Sequence, residues 1–357
     1  MLRRDFLRRT GAALATTSTA ASGPFVRASD KAGSKNPVIG QGEFRYQCFH
    51  GWGDPPSSLR WWETHGVTVD KAGLIYIKHR AGKEKPRSPD DAQDTILVFD
   101  PDGKFVRSFG KSFHGGGHGI DIREENGQEF LYLSCMFPVN LVVKTDLKGE
   151  VVWIKEAPKE PHVYDKPNTP FSPTNVAFAP NGGFYVGDGY GSNYIHQYDK
   201  DANWIRTFGG TGDSPGKFKT PHGLWLDNRP GREPQLVVAD RANARLQYLS
   251  LEGKPIQIVR DVSFPAHFDI RGDLLLVPDL HARVTLFDTH NNVLAHLAYD
   301  PDWTKQVLDG LKIRTQPDRW PAGKFIHPHD ACFDKDGNIF VVEWVQPGRV
   351  SRLRRVS

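Results

Sequence analysis

The chain has little cysteine. Three cysteines occur among its 357 residues, Cys48, Cys135 and Cys332, and no two of them are closely spaced. An odd, scattered set does not form a disulfide framework, even in an oxidising compartment. One pair remains open to oxidation, but we expect all three to be small buried residues.

The chain also lacks a membrane-length apolar run and, outside its first residues, an excess of charge. The mildly apolar segment 11–26 is too short and too rich in Thr and Ser to span a bilayer. Residues 1–28 hold five arginines and one aspartate, which account for the whole formal charge of +4. A neutral remainder gives no electrostatic case for binding nucleic acid or an anionic membrane.

The first residues are typical of a targeting segment. Arg3 and Arg4 are followed by Phe6 and Leu7, then by the mildly apolar run, and the segment ends near Ala28. This order resembles a twin-arginine export signal. We therefore expect a signal peptide at 1–28, a linker at 29–42 and a folded domain at 43–357, located in the periplasm or secreted.

Patterns typical of helices are scarce, with one candidate at 302–311, whereas turn residues and aromatic residues are plentiful. The chain has 35 Gly, 26 Pro, nine Trp and ten Tyr. Residues 175–209 show four short apolar strands separated by tight turns, and this pattern repeats with starts at 65, 118, 174, 222, 267 and 329. Such a repeat predicts an all-β fold, a six-bladed β-propeller.

The last repeat is one strand short at the C-terminus. Residues 44–53 resemble the fourth strand of the third repeat at 204–212. We therefore expect this N-terminal strand to complete the last blade, which would close the ring and remove two exposed sheet edges.

Five of the six repeats open with a histidine: His65, His118, His222, His267 and His329, with Thr174 in the remaining place. Alternate blades lie about 120° apart around a six-bladed ring, so the even-blade residues His118, His222 and His329 are expected to face one point. Three imidazoles with an open position are typical of catalytic Zn²⁺, although Fe, Cu or Mn would also suit them. Turn chemistry is the simpler explanation for any single His-Gly pair.

Several segments resemble the peptidyl-α-hydroxyglycine α-amidating lyases, which are NHL-type six-bladed propellers. The similarity covers most of residues 65–345 and is strongest at 77–81, 94–101, 186–198, 216–224, 238–247 and 327–331. The resemblance implies zinc on His118, His222 and His329. It also implies a catalytic tyrosine at Tyr190, and active-site arginines at Arg80 and Arg241.

The same resemblance implies a structural Ca²⁺ held by the carboxylate of Asp330 and the backbone carbonyls of Val67 and Ile120. The implied activity is cleavage of an α-hydroxyglycine amide to a primary amide and glyoxylate. Zn²⁺ would lower the pKa of the substrate hydroxyl, Tyr190 would take its proton, and an arginine suits a substrate carboxylate.

The sequence departs from the family in several places. Gly191 stands where a disulfide cysteine is expected, His327 replaces an apolar residue, and His65 and His267 are additional histidines. The two odd-blade histidines have three open roles: joining the metal, hydrogen bonding to its ligands, or lining the channel. These departures leave a small-molecule or peptide α-hydroxy-amide as the expected substrate class.

Two functions follow from the sequence. The first is a monomeric, metal-dependent carbon–nitrogen lyase. The alternative is a non-catalytic NHL propeller that binds a periplasmic protein or glycan partner, because a propeller scaffold by itself does not define an activity. A Ca²⁺-dependent lactonase on the same scaffold is less compatible with the many channel histidines.

Overall fold

The chain folds as a six-bladed β-propeller, which confirms the fold expected from the repeat. A computed structural model describes residues 36–59, 61–82 and 86–356. The expected signal peptide and the first residues of the linker lie outside these described residues. No helix in the described ranges is both long and apolar enough to cross a membrane.

Two strands come before the first blade in sequence, β1 (Val38–Gln41) and β2 (Phe44–His50). The next twelve strands build blades one to three, in chain order: β3 (Thr64–Val69), β4 (Ile75–His79), β5 (Ile96–Phe99) and β6 (Phe105–Phe109); β7 (Gly117–Glu125), β8 (Gln128–Cys135), β9 (Leu141–Asp146) and β10 (Val151–Lys155); β11 (Val176–Phe178), β12 (Phe184–Gly187), β13 (Tyr194–Tyr198) and β14 (Trp204–Gly209).

The remaining eleven strands build blades four to six: β15 (Pro221–Asp227), β16 (Gln235–Asp240), β17 (Arg245–Leu249) and β18 (Pro255–Val259); β19 (Asp269–Arg271), β20 (Leu274–Asp279), β21 (Arg283–Phe287) and β22 (Val293–Leu297); β23 (Pro328–Phe333), β24 (Ile339–Glu343) and β25 (Arg349–Arg355). Each blade is an antiparallel meander whose strands run outward from the central channel.

The ring is closed by the N-terminal strand, as the sequence predicts. Strand β2 pairs antiparallel with β25, with Cys48 opposite Leu353, and completes the last blade. Strand β1 then pairs with β2 and makes this sheet five-stranded. Residues 38–41 therefore belong to the propeller and not to the expected linker, because their backbone finds a partner in β2.

The apolar core lies between neighbouring blades. One cluster joins Val237 and Tyr248 of blade four to Leu275 and Phe287 of blade five, all of them fully buried. Cys48, Cys135 and Cys332 are buried in three different clusters, as expected for small core residues.

The predicted helix forms between blades five and six. Helix α1 (Pro301–Leu308) begins after Asp300, whose carboxylate accepts hydrogen bonds from the N–H groups of Asp302 and Trp303. Short 3₁₀ helices lie at Pro89–Asp91, Lys111–Phe113, Arg241–Asn243, Lys312–Thr315 and Pro317–Arg319.

A candidate metal centre in the propeller channel

The three even-blade histidines lie at β-bulges in the innermost strands, and not just ahead of those strands as the sequence suggested. In each of these strands the pairing register with the next strand shifts at the histidine. The shift lies between Gly117 and Ile120 in β7, between Pro221 and Leu224 in β15, and between Pro328 and Asp330 in β23. A bulge turns a side chain out of its normal alternation. Each imidazole is thereby directed toward its neighbours in the channel.

His118, His222 and His329 converge, as the parity of the repeat predicts. Their ring centroids lie 4.6 to 4.8 Å apart in all three pairs. The Nε2 atoms of His118 and His222 are 3.1 Å apart. Two nitrogens bound to one tetrahedral Zn²⁺ at about 2.0–2.1 Å would lie about 3.4 Å apart, so this pair is spaced for a shared ion.

Backbone carbonyls fix the orientation of these three rings. The Nδ1 atoms of His118, His222 and His329 each lie 2.7 Å from the carbonyl oxygen of Thr174, Ala266 and His65, respectively. A carbonyl can only accept, so each Nδ1 carries the proton and donates. In a neutral imidazole the Nε2 lone pair is then free to bind a metal.

This tautomer makes the cluster unsatisfied without a cation. The Nε2 lone pairs of His118 and His222 face each other across 3.1 Å, and Nε2 of His329 has no hydrogen-bond partner. The Tyr190 hydroxyl, 3.1 Å from Nε2 of His222, can donate to that one nitrogen and leaves the other two without a donor. All three rings are buried, and burial lowers the pKa of each imidazole well below its usual range. The rings are therefore neutral near pH 7, the form that binds divalent metals, so the donor set fits a transition-metal ion.

Glycines next to two of these histidines allow the close approach of neighbouring blades. A Cβ on Gly119 would lie 2.6 Å from the Thr174 carbonyl oxygen, and one on Gly223 would lie 2.5 Å from that of Ala266. These are the same carbonyls that accept from His118 and His222. Any larger residue would push this acceptor away, which gives the His-Gly pair a physical reason.

Tyr190 and Arg241 lie beside the cluster. The Tyr190 hydroxyl is 3.1 Å from Nε2 of His222, and Arg241 Nη1 donates to that hydroxyl at 3.0 Å. The tyrosine ring stands edge-on to His118, with centroids 5.0 Å apart. The structure therefore brings the expected proton acceptor and one expected arginine to the three histidines.

Arg80 approaches from blade one. Its Nε donates to the Gly115 carbonyl at 3.0 Å, and its Nη1 lies 3.9 Å from a carboxylate oxygen of Glu63. Tyr190, Arg80 and Arg241 are all partly exposed, unlike the histidines.

Buried carboxylates hold the loops that carry these residues. Asp188 directly follows the second strand of blade three, and Asp240 is the last residue of the second strand of blade four. Each carboxylate accepts a hydrogen bond at 2.7 Å from a backbone N–H of the loop that leads into the same blade, that of Ser172 and that of Lys219, respectively. Asp279 and Glu343 repeat the contact in blades five and six. Tyr190 and Arg241 lie within two residues of such an anchor, so their positions are set by rigid elements.

The three additional histidines go to three different places. His65 joins the cluster: its ring centroid lies 4.4 Å from that of His329 and 5.3 Å from that of His118, and one nitrogen from each of these three rings lies within 4.8 Å of the others. His327 does not join, because its Nδ1 donates to the Leu280 carbonyl and its ring packs on Trp344.

His267 belongs to a separate carboxylate cluster in the channel. Its Nε2 lies 3.1 Å from an Asp121 carboxylate oxygen, and a cavity of about 210 Å³ is lined by His267, Asp121, Asp269 and Asp330. Burial would lower the pKa of His267, but the charges of Asp330 and Asp121 raise it to about 9.

Two of the three residues expected to hold calcium, Val67 and Asp330, line this same cavity, whereas Ile120 is not among the residues that line it. Asp330 accepts from the Val67 N–H at 2.9 Å, and Gly66 packs directly against Ile120. Asp330 and Val67 line the cavity, and the second carboxylate oxygen of Asp121 is buried without a hydrogen-bond partner. The buried carboxylates of Asp121 and Asp330 and the partly buried one of Asp269 suit a hard cation, so these side chains fit Ca²⁺, with the His267 imidazolium as its competitor.

Glu63 is a site residue that the sequence analysis missed. Its carboxylate is buried, lies 3.9 Å from Nε2 of His65 and accepts from Arg314 Nη2 at 2.7 Å. The sequence offered only a weak signal, a carboxylate two residues before His65, because the pairing register breaks between Thr64 and Gly66 and the strand alternation does not hold there.

Fold and site together define a six-bladed propeller with a buried polyhistidine cluster in its channel. No protein-family model matches the chain. The sequence is 26% identical over 337 residues to peptidyl-α-hydroxyglycine α-amidating lyase 1 of Drosophila melanogaster, covering 84% of this chain and 58% of the relative. It is 32% identical over 220 residues to peptidyl-glycine α-amidating monooxygenase A of Xenopus laevis, covering 56% of this chain and 22% of the relative.

The chain is thus a modest-identity homologue of the amidating lyases and of NHL-repeat proteins, including human NHL repeat-containing protein 3, to which it is 28% identical over 208 residues, 57% of this chain and 56% of that protein. It spans little more than half the length of the Drosophila lyase. Among solved structures, virginiamycin B lyase from Staphylococcus aureus has a TM-score of 0.53 at 11% identity, covering 87% of this chain and all of that one. Such a likeness defines the fold alone.

Proposed function

We propose that this protein is a metal-dependent carbon–nitrogen lyase that cleaves an α-hydroxyglycine-type carbinolamide to an amide and glyoxylate. The observation that carries the proposal is the convergence of three Nε2-presenting histidines with the Tyr190 hydroxyl, which lies 3.1 Å from His222 and accepts from Arg241. The homologues named as amidating lyases support the reaction class.

The residues present account for the steps of such a cleavage. The substrate hydroxyl loses its proton, the carbon–oxygen bond becomes a carbonyl, and the carbon–nitrogen electron pair leaves on nitrogen, which gains a proton. As a phenolate, which the Arg241 guanidinium donating to its oxygen would stabilise, Tyr190 would accept the hydroxyl proton and become the neutral phenol, which could then give a proton to the leaving nitrogen. A bound divalent ion would supply a Lewis acid beside the same hydroxyl.

Charge in the site favours an anionic substrate. Arg80 and Arg241 are partly exposed and border the buried histidines. Glu63, the acidic side chain near Arg80, also accepts a hydrogen bond from Arg314 at 2.7 Å, so its single charge is shared between two guanidinium groups. A guanidinium can bind a carboxylate in a bidentate manner. The carboxylate of an α-hydroxyglycine unit would therefore have a partner beside the reacting carbon.

The direct test is release of glyoxylate from α-hydroxyhippurate by the purified protein. We expect chelation to abolish release, added Zn²⁺ to restore it, and Ca²⁺ alone to fail. His222→Asn should lose activity by at least about 100-fold, since it removes a metal ligand. His162→Asn, at an exposed histidine, serves as the matched control.

Two outcomes would contradict the proposal. If the metal-loaded protein released no glyoxylate from any α-hydroxy-amide or ureido analogue, the lyase assignment would be wrong. If the purified protein bound no transition metal, the non-catalytic propeller that binds a periplasmic protein or glycan would become the better explanation.

A further inference from the structure

We infer that His65 is a fourth imidazole ligand of the metal centre. The inference rests on the proposed metal site but not on its reaction. The amidating-lyase resemblance assigns three histidines, and His65 is one of the positions where this chain departs from it.

The position of His65 is the first support. It is buried, its exposed fraction is 3%, and one of its nitrogens lies within 4.8 Å of ligand nitrogens of both His118 and His329. Ligand nitrogens on a tetrahedral ion would lie about 3.4 Å apart. Catalytic zinc sites can expand to five ligands, so a fourth imidazole is compatible with the substrate position that the proposed function requires.

The hydrogen bonding of His65 is the second support. Neither of its ring nitrogens has a partner at hydrogen-bond distance: Nε2 faces the Glu63 carboxylate at 3.9 Å, and Nδ1 is buried with no polar contact. A buried polar group left in this way destabilises the folded chain. Placing one of these nitrogens on an ion would remove part of that penalty, whereas a histidine that only fills space would be better replaced by an apolar residue.

The contrast with the other ligands is the third support. The carbonyl equivalent to those that hold His118 and His222 is that of His118 itself, which lies 2.8 Å from the position of a Cβ on Gly66. His65 does not use this acceptor, and its Nε2 points instead toward Glu63 at 3.9 Å. With Nε2 directed at a carboxylate, Nδ1 is the nitrogen left for the ion.

Glu63 then completes a carboxylate–histidine–metal series. Its other oxygen is held by Arg314, which comes from the 3₁₀ helix at Lys312–Thr315 between blades five and six. Carboxylates behind metal-binding imidazoles orient them and raise their basicity. Glu63 is thus a positioning residue for His65, whereas backbone carbonyls have this role for the other three ligands.

Metal binding by the apoprotein tests this assignment without any activity assay. We expect His65→Asn to lose more than the roughly 10- to 100-fold in Zn²⁺ affinity that loss of an outer-shell partner costs, measured by competition with a chelator of known affinity. The visible absorption bands of bound Co²⁺ should change as well. His327→Asn, which removes a buried imidazole outside the cluster, should keep the wild-type affinity within about threefold.

The outcomes separate this inference from the proposed function. Unchanged Zn²⁺ affinity in His65→Asn, or a loss of only 10- to 100-fold with unchanged Co²⁺ bands, would overturn the fourth ligand and leave the lyase intact. A wild-type protein that binds no transition metal would overturn both. If His65→Asn did not fold, X-ray absorption of the Zn²⁺-loaded wild type decides, since four imidazoles support the inference and three overturn it.

Discussion

At the scale of single residues, Tyr190 is the residue whose catalytic role can best be tested without disturbing the packing around it. Its ring lies edge-on to His118 and His222, with centroids 5.0 and 5.5 Å away, while its hydroxyl meets Arg241 and Nε2 of His222. The ring can therefore stay in place when the hydroxyl is removed.

Tyr190→Phe is expected to lower kcat for carbinolamide cleavage by about 10²- to 10⁴-fold, the usual contribution of a general base. Zn²⁺ content should stay the same, because the metal-binding nitrogens are untouched. The measurement is glyoxylate release alongside metal analysis, with Tyr299→Phe, at an exposed tyrosine, as control. Full activity in Tyr190→Phe would remove this residue from the reaction.

Some of the site could be read from single residues and some could not. The even-blade histidines were predictable because the repeat fixes their spacing and the ring fixes their direction. The bulges that rotate them, the carbonyls that select their tautomer and the different orientation of His65 depend on contacts between blades. Those contacts produce no periodic pattern in the sequence from which they could be predicted.

At the scale of elements, the innermost strands divide the channel into two sites. Histidines of β3, β7, β15 and β23 form the histidine cluster, whereas Asp121 of β7, Asp330 of β23 and His267 just before β19 form the carboxylate cluster. His329 and Asp330 are adjacent in β23 yet serve different clusters, because successive side chains of a strand point to opposite sides.

The carboxylate cluster predicts how stability depends on pH. The pKa of His267 is raised from its ordinary 6.5 to about 9, because the charges of Asp330 and Asp121 outweigh burial, and burial raises the pKa of Asp330 to about 8. Both groups hold protons more tightly in the folded chain. For His267 this stabilisation is fully present below about pH 6.5 and is lost as the pH rises through about 9. For Asp330 it is fully present below about pH 3.8 and is lost as the pH rises through about 8.

Without divalent cations, the free energy of unfolding should therefore fall by about 1–3 kcal/mol between pH 6.5 and 9.5. Ca²⁺ should reverse this fall and should raise Tm more at high pH, because it competes with the bound protons. Denaturation with and without Ca²⁺ measures both effects. Asp330→Asn should lose the Ca²⁺ response and the exposed control Asp302→Asn should keep it; a response that survived in Asp330→Asn would place calcium elsewhere.

At the scale of the whole molecule, the two ends of the described chain meet in one sheet. Strand β2 lies between β1 and β25, so the last blade cannot form until a strand from the start of the chain pairs with one from the end. The need for this closure was predictable, since an incomplete blade would expose a sheet edge. The extension by β1 was not predictable, because the segment 38–41 is too short to show a strand pattern in the sequence. It is a strand through its pairing with β2.

Because the ring is closed by the pairing of β2 with β25, this joint between the chain ends is expected to matter for the stability of the whole ring. Leu353 of β25 is fully buried in a cluster that includes Cys48 of β2 and Ile339 of β24. Leu353→Ala should lower the free energy of unfolding by about 2–5 kcal/mol, through lost burial and a cavity. Ile256→Ala, at an aliphatic residue that is 53% exposed on the outer strand of blade four, should change it by less than about 0.5 kcal/mol. Urea denaturation measures both values, and equal, small effects would show that the joint adds little and that the blades are stable without closure.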